Sequence, residues 1–271
     1  MCDRSCNRRS SGLPWGGASR PRKGCAAHAL LCKARMATER QYHDEIDPHR
    51  KGANSAEVIL GAQDGLVNVL GVVLGVAAAT GDTQVVLAAG AAAAIAESAS
   101  MAAVAFTSSR AQAHYFEAER EREHRHVARS PTIEREEVRR LYAEKGFSGD
   151  LLDRIVERIT ADPEVWVAVM MAEEHHLAPV TMRRSLASGG IVGASSLVGS
   201  LLPLVPFLAL AVGPAIFASI GVAALSLFAI GALKARATVG SWLREGLQLA
   251  GIGIVTAGLG WGVGALFRVP A

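Results

Sequence analysis

Aromatic side chains are scarce in this chain, at 5% of its 271 residues, although half of the residues are hydrophobic. The apolar excess is carried by Ala, Val and Leu, interleaved with 28 glycines, and the mean hydropathy is +0.25. That composition excludes an ordinary soluble domain and is the mix found in packed transmembrane helices. Net charge is only +3, so no polyanion partner and no nucleic acid is implied. Cysteine is confined to Cys2, Cys6, Cys25 and Cys32, at spacings that match no zinc pattern and set no disulfide framework. The stretch Met1–Arg35 is basic and lacks a long apolar run, which excludes a secretory signal. Met36 opens "MATERQYHDEIDPHRKG" and reads as a start, so residues 1–35 are expected to be an extension without a fold, and 1–48 a basic, disordered N-terminal region. No G-x-x-x-x-G-K-[ST] run occurs, which argues against ATP as the energy source and for a gradient.

Five apolar stretches are present: Val58–Thr80, Val85–Phe106, Leu186–Val212, Ala215–Leu233 and Leu247–Phe267. Each is close to the roughly 20 residues that cross a bilayer as a helix. The connections "TGDTQ" and "AVGP" carry no Lys or Arg, whereas the other ends carry His49-Arg50-Lys51, Arg110, Arg183-Arg184, Lys234, Arg236 and Arg244. The positive-inside rule then places the amino terminus and the central region in the cytoplasm and the carboxyl terminus outside, with Arg268 dissenting. Glycines four apart, at Gly61/Gly65, Gly71/Gly75, Gly189/Gly193 and Gly258/Gly262, are spaced for close helix packing. Pro203 and Pro206 are expected to kink or end the third span.

The intervening region, 111–180, separates spans one and two (49–110) from spans three to five (181–271). Its charged sequence reads as three helical elements. "QAHYFEAEREREHRHVA" is the first. "SPTIEREEVRRLYAEKG" is the second, with Ser130 as N-cap, Pro131 at the first position and Gly146 as a stop. The third ends at Pro179 and carries a break signal at Asp162-Pro163. Helical spacing pairs Glu123 with His126, Glu134 with Glu137 and Met171 with Glu174. Carboxylate and imidazole suit Fe(II), Mn(II) and Zn(II), and thioether adds a soft donor. The competing reading is a solvated, ion-paired face for "EAERERE" and a core role for Met170 and Met171 near Trp166.

A second constellation lies inside the spans. Asp64 falls about a third of the way into the first and Glu97 in the middle of the second, with Met101 one turn on from Glu97. Asp64 is thirteen residues past Lys51 and Glu97 thirteen before Arg110, so antiparallel helices would hold the two acids at similar depth. A carboxylate in hydrocarbon costs roughly 3 kcal/mol and faces a pathway or a partner rather than lipid. A structural hydrogen bond between helices is the alternative.

The first span reads "VILGAQDGLVNVLGVVLGV", the second contains "SASMAA", and two spans precede a glutamate-rich insert and three further spans. On these residues the chain resembles the vacuolar iron transporter family, as a bacterial-type member, from about His49 to Phe267. These are cation exporters of plants, fungi, protists and bacteria. The resemblance implies a homodimer with a pore at its interface, lined at the positions of Asp64 and Met101. It also implies a cytoplasmic domain that binds several divalent ions, with Glu123, Glu134, Glu137, Met170, Met171 and Glu174 as the matching positions. His126 stands where the family's second glutamate is expected. Relatives carry Gly-Glu soon after "SMAA"; this chain has Val104-Ala105 there, and its membrane acid is Glu97.

The expected fold class is therefore an all-α membrane protein, with five transmembrane helices and a cytoplasmic three-helix insert between the second and third. The expected function is transport rather than catalysis: export of Fe(II), or Mn(II), from the cytoplasm in exchange for protons. The ion is cargo, with no permanently bound cofactor. The transport pathway is expected to use Asp64, Met101 and Glu97, and capture to use Glu123, His126, Glu134, Glu137, Met170, Met171 and Glu174. The expected setting is the inner cell membrane, with a vacuole-like organelle as the alternative, and lipid, divalent metal ions, protons and a second copy of the chain as partners. A different reading comes from the Glu-x-x-His pairs Glu121/His124, Glu123/His126 and Glu173/His176, whose spacing is that of ferritin-like di-iron oxidases. His175 and His176 are otherwise expected to be surface residues at a helix end.

Overall fold

The computed structural model describes residues 53–237 and 240–268. The four cysteines, Met36, the triplet His49-Arg50-Lys51 and the 1–48 extension lie outside the described residues. The described chain forms α1 (Ala53–Thr80), α2 (Thr83–Arg129), α3 (Pro131–Glu144), α4 (Gly149–Thr160), α5 (Pro163–Glu173) and α6 (Met182–Leu201). A 3-10 turn at Leu202–Leu204 follows, then α7 (Val205–Ala209), α8 (Val212–Ala237) and α9 (Trp242–Leu266). No strand occurs among the described residues. Five segments are long and apolar enough to cross a membrane: α1, α2, α6 with α7, α8 and α9. The protein is an all-α, multi-pass membrane protein.

The most consequential difference from the sequence reading is α2. The second span and the first charged element are one unbroken helix of 47 residues. At 1.5 Å per residue it is about 70 Å long, more than twice the roughly 30 Å of a bilayer's hydrocarbon core. Composition changes along it from apolar to charged, but between Gly90 and Arg129 there is neither Gly nor Pro to break it. Asp82 starts the helix, its carboxylate accepting from the N–H groups of Gln84 (2.7 Å) and Val85 (3.2 Å).

Helix α1 is the centre of the membrane bundle and packs against α2, α6, α8 and α9. Its Leu66, Leu70 and Leu74 enter one core with Ala223, Leu227, Leu249 and Ala257; its Val69, Val73 and Ala77 enter another with Val86, Leu204 and Phe207. Glycine brings the backbones together. A Cβ at Gly264 would collide with the carbonyl oxygen of Gly75, one at Gly260 with that of Gly71, and one at Gly61 with Ser195 and the Val192 carbonyl. The fourth glycine pair read from sequence is corrected here: Gly258 and Gly262 face open space, and α9 approaches α1 through Gly260 and Gly264. Pro203 and Pro206 act as expected, converting the end of α6 into the 3-10 turn and the short α7.

Between the spans, the far end of α2 packs with α3 and α5, and α4 packs with both α3 and α5. The third charged element does break, with the Asp162 carboxylate capping α5 at the Glu164 N–H (2.9 Å). Ser130 precedes Pro131 as expected, but its hydroxyl makes no capping bond. Gly146 ends the following turn at φ 91°. Val138, Leu152, Val156, Ile159, Trp166 and Met170 form the insert's own apolar core.

Candidate metal centres

The insert core clamps α3 and α5 against the last turns of α2, and this buries carboxylates. Glu123 of α2 is 3% exposed and Glu134, in the first turn of α3, is 4% exposed. His126 bridges them: its Nδ1 lies 3.4 Å from Oε1 of Glu134 and 3.8 Å from Oε1 of Glu123. One ligand atom from each of the three residues lies within 4.8 Å of the others. Glu137, one turn along α3, hydrogen-bonds Glu134. Glu174, which caps the carboxyl end of α5, lies close enough to Glu123, Glu134 and Glu137 to be coupled to them by charge.

The electrostatics follow from this crowding. Burial first, then the charges of Glu123, Glu137 and Glu174, push the Glu134 carboxyl up from 4.5 to about 7. Burial and the Glu137 charge also raise Glu174, against the lowering effect of His175 and Arg140. Oε2 of Glu123 and Oε2 of Glu134 are buried with no hydrogen-bond partner among the described residues. Buried carboxylate oxygens without donors are costly unless a proton or a cation sits between them. Oxygen donors with one imidazole form a set suited to Fe(II), Mn(II) and Zn(II).

The two methionines differ in setting. Met170 is fully buried within the insert core, against Val138, Val156 and Trp166, while Met171 is buried outside that apolar set. The expectation of a surface position holds for His176 and is corrected for His175. His176 is exposed, but Nε2 of His175 lies 3.0 Å from Oε1 of Glu123. The adjacent "EEHH" was a weak signal for this contact, because only the turn after α5 decides which imidazole points back. Of the three Glu-x-x-His pairs, only Glu123/His126 faces the cluster. His124 lies 3.7 Å from Glu164, and Glu173 pairs with Lys145.

The second centre lies within the spans. The two cores occupy two faces of α1, and Asp64 and Asn68 lie on a third. The Asp64 carboxyl is a hydrogen-bonding neighbour of the Glu97 carboxyl on α2, and Nδ2 of Asn68 donates to Oε1 of Glu97 at 3.0 Å. The equal depth read from sequence is thus a direct contact. Met101 is half-buried one turn from Glu97 on the same helix. Glu97 and Glu123 are 26 residues apart on α2, which separates the two centres by about 39 Å along its axis.

Comparison with known proteins bears on both centres. The chain is 25% identical over 232 residues to Vacuolar iron transporter 1 of Oryza sativa subsp. japonica, covering 85% of this chain and 92% of that protein. It is 24% identical over 229 residues to Vacuolar iron transporter 1 of Arabidopsis thaliana, covering 82% and 92%. It is 26% identical over 215 residues to Protein CCC1 of Saccharomyces cerevisiae, covering 76% and 66%. The VIT family model matches residues 56–265, a stretch that takes in both carboxylate centres, and the chain belongs to this family of transporters, not enzymes.

Proposed function

We propose that this protein exports Fe(II), and with it Mn(II), from the cytoplasm in exchange for protons. The observation that carries this reading is the presence of two carboxylate centres on one continuous helix, one in the insert and one within the spans. The relatives named as vacuolar iron transporters support iron as the cargo. Glu123, His126, Glu134, Glu137 and Glu174, with Met171 and with Met170 of the insert core, capture the cation. Asp64 and Glu97, with Met101 one turn away, take it through the membrane. Metal and proton compete for the same oxygens, so protonation from the far side releases the ion.

Asp64 and Asn68 lie on the α1 face left outside both cores, and a second copy of the chain would cover them as a homodimer. The basic ends of the spans support a cytoplasmic insert and amino terminus, and the membrane proposed is the inner cell membrane. The di-iron oxidase reading loses support, because Glu121/His124 and Glu173/His176 supply no ligands to the cluster.

The test is uptake of Fe(II) and Mn(II) into sealed proteoliposomes, under anaerobic conditions, with and without a pH gradient. Asp64→Asn keeps the side chain's shape and removes its charge. Both it and Glu97→Gln should yield folded protein with flux reduced at least tenfold. Transport by Asp64→Asn at the unmodified rate would refute the mechanism.

A further inference from the structure

His175 is the one imidazole of the insert that touches Glu123 without belonging to the three-residue cluster. Its position is built by the backbone. After α5 the N–H groups of Glu174 and His175 both reach the Met170 carbonyl, at 3.0 and 3.2 Å, and the Leu177 N–H reaches that of Met171 at 2.9 Å. His176 turns the chain with φ 53°, a left-handed conformation that non-glycine residues adopt at a cost of roughly 1–2 kcal/mol. The turn leaves His176 exposed and aims His175 back across the gap to α2.

We propose that His175 is a positioning residue for the capture site: its Nε2–H donates to Oε1 of Glu123 and so holds that buried carboxylate in place for the incoming cation. The proposal rests on the capture-site reading above. Three observations carry it. The contact is 3.0 Å, a hydrogen-bond distance. Glu123 is buried, and its Oε2 has no partner among the described residues. The ligand atoms of Glu123, His126 and Glu134 gather within 4.8 Å, and His175 stands outside that group, where it can orient a ligand without being one. Partners of this kind around a ligating carboxylate typically change metal affinity by about 10–100-fold.

The test uses the full chain in detergent, titrated with Co(II), whose visible band reports the ligand set. Unmodified protein should bind Co(II) saturably, and Glu123→Ala should abolish binding at the cluster. His175→Ala should weaken binding about 10–100-fold while leaving the Co(II) band at saturation unchanged. His175→Gln, which restores an N–H donor near the Nε2 position, should recover most of the loss. His176→Asn, which tolerates the left-handed turn, should bind as the unmodified chain. The proposal is overturned if His175→Ala binds normally, if His175→Gln is as weak as His175→Ala, or if the band shifts. A loss in His176→Asn equal to that in His175→Ala would overturn it too, by assigning the effect to the turn. Failure of the unmodified chain to bind Co(II), or normal binding by Glu123→Ala, would instead sink the capture site itself and His175's role with it.

Discussion

Glu134 is the residue at which burial, charge and the proposed capture of a cation meet most directly. Its carboxyl sits at about 7, raised first by burial and then by Glu123, Glu137 and Glu174. In the metal-free protein the folded state therefore holds a proton that the unfolded chain releases near 4.5. The stability this confers is complete below that value and is lost as pH rises through about 7. A bound cation reverses the sense, because it needs the ionised oxygen and must displace the proton. Affinity for Co(II) or Fe(II) should thus fall about tenfold per pH unit below 7, for one displaced proton, and level off above it. Calorimetry between pH 5.5 and 8 measures this, and Glu134→Gln should both weaken binding and flatten the dependence.

Helices in this bundle meet where glycine removes the side chain. Gly264 sits against the Gly75 carbonyl and Gly260 against that of Gly71, so the α1–α9 approach has no room for a methyl group. Gly258 and Gly262 lie on the same helix with open space around them. Gly264→Leu should lower the unfolding midpoint in detergent, with a cost of about 1–3 kcal/mol for overpacking. Gly258→Leu should stay within about 0.5 kcal/mol of the unmodified protein. If the two substitutions cost the same, close packing through Gly264 is not what holds α9 to α1. Helix α2 raises a different issue at this scale. Glu97 and Glu123 stand about 39 Å apart along its axis, so under the proposed capture role an ion leaves the insert and travels beside α2 before it meets the membrane centre.

For the molecule as a whole, the length of α2 makes a topological statement. Its start and the insert lie at opposite ends of a rod of about 70 Å, so they fall on opposite sides of any bilayer it crosses. Gln84→Cys and Leu151→Cys, both at exposed positions, can be introduced after replacing Cys2, Cys6, Cys25 and Cys32 by Ser. A membrane-impermeant thiol reagent applied to intact cells should label Gln84→Cys only. Labelling of Leu151→Cys only would invert the proposed orientation, and with it the direction of transport.

Local signals in the sequence determined the helices: long apolar runs, breakers at Pro203, Pro206 and Asp162-Pro163, and a stop at Gly146. They also placed Asp64 and Glu97 at one depth, because rise per residue along antiparallel helices is nearly constant. Sequence spacing likewise paired Glu123 with His126 and Glu134 with Glu137, since helical neighbours recur every three or four residues. What only the tertiary structure decided depends on contacts between elements distant in the chain. The continuity of α2 depended on the absence of a breaker rather than on a signal, and the change from apolar to charged residues hid it. Gly260 and Gly264, rather than Gly258 and Gly262, face α1 because helix rotation is set by packing, which residue spacing does not encode. Met170 entered the insert core because α3, α4 and α5 close around it. His175 reached Glu123, 52 residues away, because a left-handed turn at His176 follows α5, and no periodic pattern foretells the direction of one residue at a helix end.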